Sequence, residues 1–345
     1  MVSYSSGSVL AMLQEDDGTY IDDKTLQYIF LLVFKIALNT LILSLWQQNI
    51  TKSLLGICSL FLYLADLLLI SSIFWAWWFK QNLGAQEAIC CSLCHSSTVY
   101  SLLPIPVLLG AVVDYGASQQ EDVVLKSLAR TSIHFLVMLV MWAMACVYSY
   151  HYTNCELLTI KYPEGLDALV CPVHGSTVIS HFNSKLLVVV VFILMLNFRN
   201  LPYWFQLVKN PPWYLSTWSR TDKSDQAFSQ KQDKPYMIDQ QDHPPLFTSL
   251  TICFAVSWIP YMVVSVICDI LAFAVPSYAS VNLIWTACAN SLLAGMTFWY
   301  NSKMYGPFYK VPDMFCSWSF YWHLSKESHK LPSFKLHDGP SVLEL

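Results

Sequence analysis

A stretch without charge fixes the solvent in which this chain can fold. Between Glu87 and Asp114 there is no Lys, Arg, Asp or Glu. At about 1.5 Å per helical residue, Ala88–Val113 is long enough to cross a bilayer as one helix with some tilt. Composition agrees with a membrane protein. The chain is 55% hydrophobic and only 12% charged, where a soluble domain carries about 25% charged residues. The net charge of -4 points to no nucleic-acid partner. Eleven cysteines without a dense pattern argue against a disulfide scaffold or a zinc module.

Further apolar stretches follow the same rule. Residues 1–25 are polar and acidic, hold no glycosylation acceptor and show no signal peptide, so the first span, roughly Leu26–Gln47, serves as the signal-anchor. It carries Lys35 and Asn39 on one face, one turn apart. A lysine there is costly, so it faces the protein interior with partners or reaches toward headgroups. The second span, roughly Leu54–Phe79, holds Asp66 at its centre and ends in the aromatic cluster Phe74, Trp75, Trp77, Trp78 and Phe79, which fits an interfacial belt. Asp66 either marks a functional site or is a protonated acid bonded to a neighbouring helix. The fourth span is roughly Thr131–Tyr150. A polar loop with Cys155 and Cys171 follows. The fifth span has an apolar core at Leu186–Phe198 and needs Thr177–Ser184 or Asn200–Phe205 for full length. Residues 209–245 are hydrophilic and read as a flexible loop. The sixth and seventh spans are roughly Pro245–Val275 and Ala279–Tyr300, and residues 301–345 form a tail without an apolar span.

The expected fold is therefore an all-α membrane protein, a seven-transmembrane-helix bundle over 26–300. Basic residues orient it. With the N-terminus outside, the inner segments hold Lys52, Lys126, Arg130, Arg199 and most later lysines, and the outer ones only Lys24, Lys80, Lys161 and Lys185. That asymmetry follows the positive-inside rule and puts the C-terminus in the cytoplasm. Cys90 and Cys171 then share the oxidising side, where they can form a disulfide. Asn49-Ile50-Thr51 matches a glycosylation acceptor but falls inside and is discounted.

In order and spacing these features resemble the rhodopsin-like G-protein-coupled receptors. Asn39 resembles the family's first-helix asparagine. Leu64-Ala65-Asp66-Leu67 resembles its second-helix acidic motif, and Trp142 its fourth-helix tryptophan. Cys90 and Cys171 match its disulfide. Phe254-Ala255-Val256-Ser257-Trp258-Ile259-Pro260-Tyr261 is similar to F-x-x-C-W-x-P-Y/F, with Ser257 in the cysteine's place. Pro260 kinks a helix by removing a backbone hydrogen bond. Trp258 lies two residues further in and Phe254 a turn beyond it, a candidate two-state element. A narrower likeness within the family, to one orphan receptor, rests on Lys35 before Asn39, Asp114-Tyr115, Pro106 and Trp299-Tyr300-Asn301.

Departures are equally specific. The third helix ends Asp114-Tyr115-Gly116 where the family has Asp-Arg-Tyr, and Tyr115 does not replace a fixed cation. Asn290-Ser291 resembles the pair before the seventh-helix motif, but the motif itself falls on Ala294-Gly295-Met296-Thr297-Phe298. The fifth helix has no proline between Leu186 and Phe198. A family sodium site would draw oxygens from Asp66, Asn290 and Ser291, yet Pro104 stands where a third-helix serine helps, so no cofactor is assigned.

The resemblance implies a plasma-membrane, multi-pass receptor for an extracellular ligand, with a heterotrimeric G protein as partner and no enzymatic activity. Ser97, Tyr100, Trp258 and Tyr261 are its ligand-pocket candidates. Ser97 stands where amine receptors carry an aspartate, which argues against a monoamine, and the seventh span has no lysine for retinal. The acidic N-terminus suits a basic peptide by steering, or is simply solvated. Cys316 is a candidate for palmitoylation. No metal is assigned: Cys91-x-x-Cys94 has no second pair, and within the spans only His95 and His134 are histidines. A metal enzyme and a transporter lack the clustered ligands and internal repeats they require. A heptahelical binding or scaffold protein that activates no G protein remains an alternative, because of the missing arginine.

Overall fold

The structure is a computed structural model and describes residues 9–11, 25–46, 53–78, 84–117, 124–155, 158–161, 167–173, 175, 177–209, 243–271, 275–305 and 316–325. Most of the polar N-terminus, nearly all of the hydrophilic loop at 209–245 and the end of the tail lie outside these residues, as do Lys24, Lys52, Lys80 and the Asn49–Thr51 triplet.

The long helices are α1 (Thr25–Trp46), α2 (Leu54–Trp78), α3 (Gly84–Leu102), α4 (Pro104–Ala117), α5 (Val124–Tyr152) and α6 (Thr177–Leu196). After α7 (Leu201–Lys209) come α8 (Leu246–Ile270), a short α9 (Ser277–Ser280), α10 (Leu283–Tyr305) and α11 (Trp318–Leu324). Among the described residues, five helical stretches are long and apolar enough to cross a membrane: Leu54–Ala76, Glu87–Ala117, Ala129–Tyr152, Thr177–Leu196 and Leu246–Ile270. Ile29–Leu45 is a shorter apolar helix. The seventh helix, α10, is more polar and buries Thr286, Asn290 and Ser291 along its length.

Local chemistry explains the boundaries. Ser53 begins α2 as its cap, its hydroxyl accepting from the Gly56 amide at 3.1 Å, which satisfies one of the free donors of a helix start. The third span departs from the single helix expected. Pro104 has no N–H and its ring crowds the preceding turn, so α3 stops at Leu102 and α4 restarts at Pro104, where proline is well suited to a first turn. Of the two options for the fifth span, the helix takes Thr177–Ser184, and a turn at 197–200 separates it from α7.

One element was not anticipated. Strands β1 (Val9–Ala11), β2 (Leu158–Lys161) and β3 (Asp167–Pro172) form an antiparallel sheet in the order β1-β3-β2. The central strand carries Cys171, opposite Leu10 in register. The polar loop after the fourth span is thus partly a hairpin, built from the β-branched and apolar residues of Leu158–Lys161 and Asp167–Pro172.

By its contacts the chain divides into two compact units, Met1–Val188 with Trp258–Thr297, and Val189–Ser257 with Phe298–Leu345. The core of the first includes Leu32, Leu55, Leu62, Leu93, Leu103, Met138 and Trp285. Trp142 anchors it, stacked on Phe61 at 6.5 Å and meeting the edge of Tyr100 at 5.8 Å. The second unit is organised by aromatics: Phe298 meets Trp322 at 5.9 Å and Phe247 meets Trp299 at 5.4 Å, both edge to face. There Ser249 donates to the Tyr321 carbonyl. Burial, with Cys253 and Cys316 nearby, pushes the Tyr321 phenol up to about 12.

Exposure follows the membrane pattern. Phe30, Phe34, Leu68, Val113, Met144 and Val188 are each more than half exposed, while Lys35, Asn39, Asp66, Ser97 and Asn290 are buried. Apolar faces turned outward over whole helices would promote aggregation in water, and match hydrocarbon as a solvent.

Candidate functional site

Asp66 is the centre of the first cluster. It lies mid-way along α2 and is fully enclosed. Lys35 on α1 donates to its Oδ1 at 2.6 Å, and the Tyr100 hydroxyl on α3 donates to the same oxygen at 2.7 Å. The other oxygen, Oδ2, accepts from the Asn39 amide at 2.8 Å. Lys35 also donates to the backbone carbonyl of Tyr278 in α9 and lies 4.8 Å from the Tyr100 ring centroid, a cation–π distance. The i, i+4 spacing of Lys35 and Asn39 puts both on the face that meets α2. One carboxylate thus joins three helices, and its charge is compensated within the protein.

Asp114 is the centre of the second. It sits near the end of α4, with side-chain exposure of 8%. Arg130 Nη2 reaches its Oδ1 at 2.6 Å and Arg130 Nε at 3.2 Å. His134 Nε2 lies 2.8 Å from that same oxygen, and the Leu54 amide donates to Oδ2 at 3.2 Å. Arg130 and His134 are one turn apart on α5, so a single face delivers both. Asp114 also serves the first amide of α2, a donor that the helix itself leaves unpaired. Gly110, one turn earlier, permits this approach: a Cβ there would lie 2.8 Å from Leu54 Cδ2. Next to Asp114, the Tyr115 hydroxyl donates to Asn290 Oδ1 on α10 at 2.8 Å.

The other candidate residues fall in several places. Ser97 is fully buried, and Tyr100 points at Asp66 rather than into open space. Tyr261 accepts from the Asn183 amide at 3.1 Å, and Asn183 also donates to Ser265 at 2.9 Å. Trp258 and Tyr261 meet edge to face at 6.4 Å. Pro260 lies inside α8, whose helix runs on past it, with Phe254 earlier on the same helix. Asn290 is tied to Tyr115, and Ser291 is buried beside it in sequence. Asp66 and Asn290 therefore have different partners, and the cation beside Asp66 is Lys35. Cys90 and Cys171 are disulfide-bonded, with Cα atoms 5.6 Å apart. Cys316 is buried, so acyl transfer to it requires its segment to open.

Three partners escaped sequence reasoning. In the sequence Arg130 bears on orientation alone, His134 is one histidine within a span, and Asn183 carries no signal. The i, i+4 spacing of Arg130 and His134 was the available signal. Among the described residues two groups have metal-ligand composition, Cys90 with Cys94 and Cys171, and Cys91 with His95 and Cys155. The first contains the disulfide. In the second, burial and the neighbouring Cys91 and Cys94 sulfurs push the Cys155 thiol up to about 12.

No family model matches the chain. It is similar to three proteins named probable G-protein coupled receptor 160. The human protein is 22% identical over 279 residues, covering 79% of each chain. The rat protein is 23% identical over 305 residues, 86% of this chain and 87% of its own length. The mouse protein is 24% identical over 281 residues, 79% and 80%. The narrower likeness carried by Lys35, Asn39 and Asp114-Tyr115 is to this same orphan receptor. Glu87–Ala117, which runs through α3 and α4, counts as one membrane-spanning stretch by length and composition. The chain is a multi-pass plasma-membrane protein of the seven-helix class that resembles the G-protein coupled receptors.

Proposed function

We propose that this protein is a cell-surface receptor, not an enzyme, with its N-terminus outside and its C-terminus in the cytoplasm. It senses an extracellular ligand, a basic peptide being the chemistry that suits its acidic N-terminus, and signals through heterotrimeric G proteins by rearrangement of α8 about Pro260. The observation that carries this reading is the likeness to G-protein coupled receptors over about four-fifths of the chain. The Asn39–Asp66 bond between α1 and α2 supports it, since it joins two positions on which the family resemblance rests. The Lys35 ammonium, 2.6 Å from Asp66, competes with any cation for that carboxylate, which supports a receptor that uses no sodium.

The coupling end is atypical. Asp114 draws its arginine from the following helix, as Arg130, and Tyr115 is bonded to Asn290. These two contacts favour a second reading, a heptahelical binding or scaffold protein that activates no G protein. Nucleotide exchange on G proteins, measured in membranes bearing the native chain or Tyr115→Arg at matched surface expression, separates the two. Exchange by the native chain is the expected result. Exchange by Tyr115→Arg alone means that the helices can switch but the coupling end is disabled. Silence from both is expected of either reading when no ligand is supplied.

A further inference from the structure

Neither the receptor reading nor the disulfide uses Cys91, His95 and Cys155. Cys91 and His95 are four residues apart on α3, so they stand one turn apart on one face. Cys155 lies 64 residues from Cys91, just beyond the end of α5. Its segment is held in place. The Thr153 amide donates to the Ser149 carbonyl at 2.9 Å, and the Thr153 hydroxyl donates to that of Thr98 at 3.0 Å. The two sulfurs and an imidazole nitrogen all lie within 4.8 Å of one another, and the three residues are half-buried.

Three features distinguish this group from an ordinary cluster of core thiols. It brings together two sulfurs and an imidazole, the donor set that suits zinc. His95 Nδ1 lies 2.9 Å from the Ser149 hydroxyl, which orients the ring; ligation through Nε2 would keep this bond, the arrangement usual for metal-binding histidines. Cys91 and Cys155 are free thiols side by side, although the adjacent Cys90 is disulfide-bonded. Cys94 does not complete the group, because its sulfur lies against the disulfide, 3.4 Å from that of Cys171.

We propose that Cys91, His95 and Cys155 form a binding site for zinc or a similar borderline-soft divalent ion. Zinc–sulfur bonds of about 2.3 Å and zinc–nitrogen bonds of about 2.0 Å set donors about 3.4–3.8 Å apart, within reach by side-chain rotation. Binding releases two thiol protons to solvent, and the two thiolates balance the ion's charge. With three protein ligands, the fourth position is left to water or an incoming group. The ion would staple α3 to the end of α5, beside the disulfide. This proposal stands whether or not the chain activates a G protein.

The test uses the full chain, purified in detergent with reduced free thiols and its disulfide intact, and Co2+ as the probe. One Co2+ per chain with a thiolate-to-cobalt charge-transfer band, displaced by Zn2+, is expected. Cys91→Ser and Cys155→Ser each abolish the band. Ser149→Ala weakens binding about tenfold or more, the effect of losing a partner that orients a ligand. Cys146→Ser, which alters an exposed free cysteine elsewhere on α5, leaves the band unchanged. Mapping of Cys90–Cys171 by mass spectrometry verifies the fold of each variant. The proposal is overturned if the native chain gives no band, if the band survives both cysteine variants, or if the chain as isolated carries a Cys91–Cys155 disulfide.

Discussion

Asp66 and Asp114 are both carboxylates within apolar helices, and they are compensated in opposite ways. Asp66 is sealed at the middle of α2, and its one cation, Lys35, is itself buried, with side-chain exposure of 8%. Asp114 lies near a helix end, and its charge is shared among Arg130, His134 and the Leu54 amide, with the Arg130 side chain 39% exposed. In the first case loss of Lys35 leaves an enclosed carboxylate with only neutral donors, Tyr100 and Asn39. In the second a lost partner is replaced by a neighbour or by water. Enclosure, more than the number of bonds, sets what each cluster contributes.

This contrast breaks down or sharpens on substitution. The largest effect is expected for Lys35→Met, which strands Asp66: about 3–5 kcal/mol of stability is lost. Thermal unfolding of the purified chain reads it. Lys35→Met combined with Asp66→Leu should recover most of the loss, because a pair removed together leaves no unpaired charge. A double variant as unstable as the single one would end the idea that enclosure governs this site. Asp114→Asn comes next, at about 2 kcal/mol, since it weakens several charge-assisted bonds at once. Arg130→Met should cost about 1 kcal/mol or less, because the guanidinium is partly in solvent and His134 stays. Should Arg130→Met match Asp114→Asn in the same unfolding assay, the sharing of charge is not real. The smallest effect belongs to Tyr115→Phe. It removes one neutral hydrogen bond to Asn290, worth about 1 kcal/mol, and should leave the amount of chain at the cell surface unchanged.

The positions of the long helices were legible from the apolar runs. Asp66 stood out because a carboxylate in a long apolar run has a large desolvation cost, and Lys35 because the same cost applies to an ammonium. That the two belong together was not visible, since they are 31 residues apart on separate helices. Spacing places Tyr100 on the third span and makes it a pocket candidate; that its hydroxyl reaches Asp66 depends on the rotation of α3, which spacing does not give. The break at Leu103 was in principle readable from Pro104, but Pro106 lies inside α4 without breaking it, so proline alone does not decide where a helix stops. The sheet was missed because its strands are three to six residues long and separated in the chain. Such short alternations carry little signal before they pair.

The sequence by itself determined that the chain lives in a membrane, where its helices run, and which polar residues they carry inward. Those follow from transfer free energies, which are properties of each segment alone. The tertiary structure decided the pairings: Lys35 with Asp66, Arg130 and His134 with Asp114, Tyr115 with Asn290, and Cys155 with the face of α3 that holds Cys91 and His95. These depend on the rotation and depth of one helix against another. Close packing of many side chains sets both together, and no single segment encodes them.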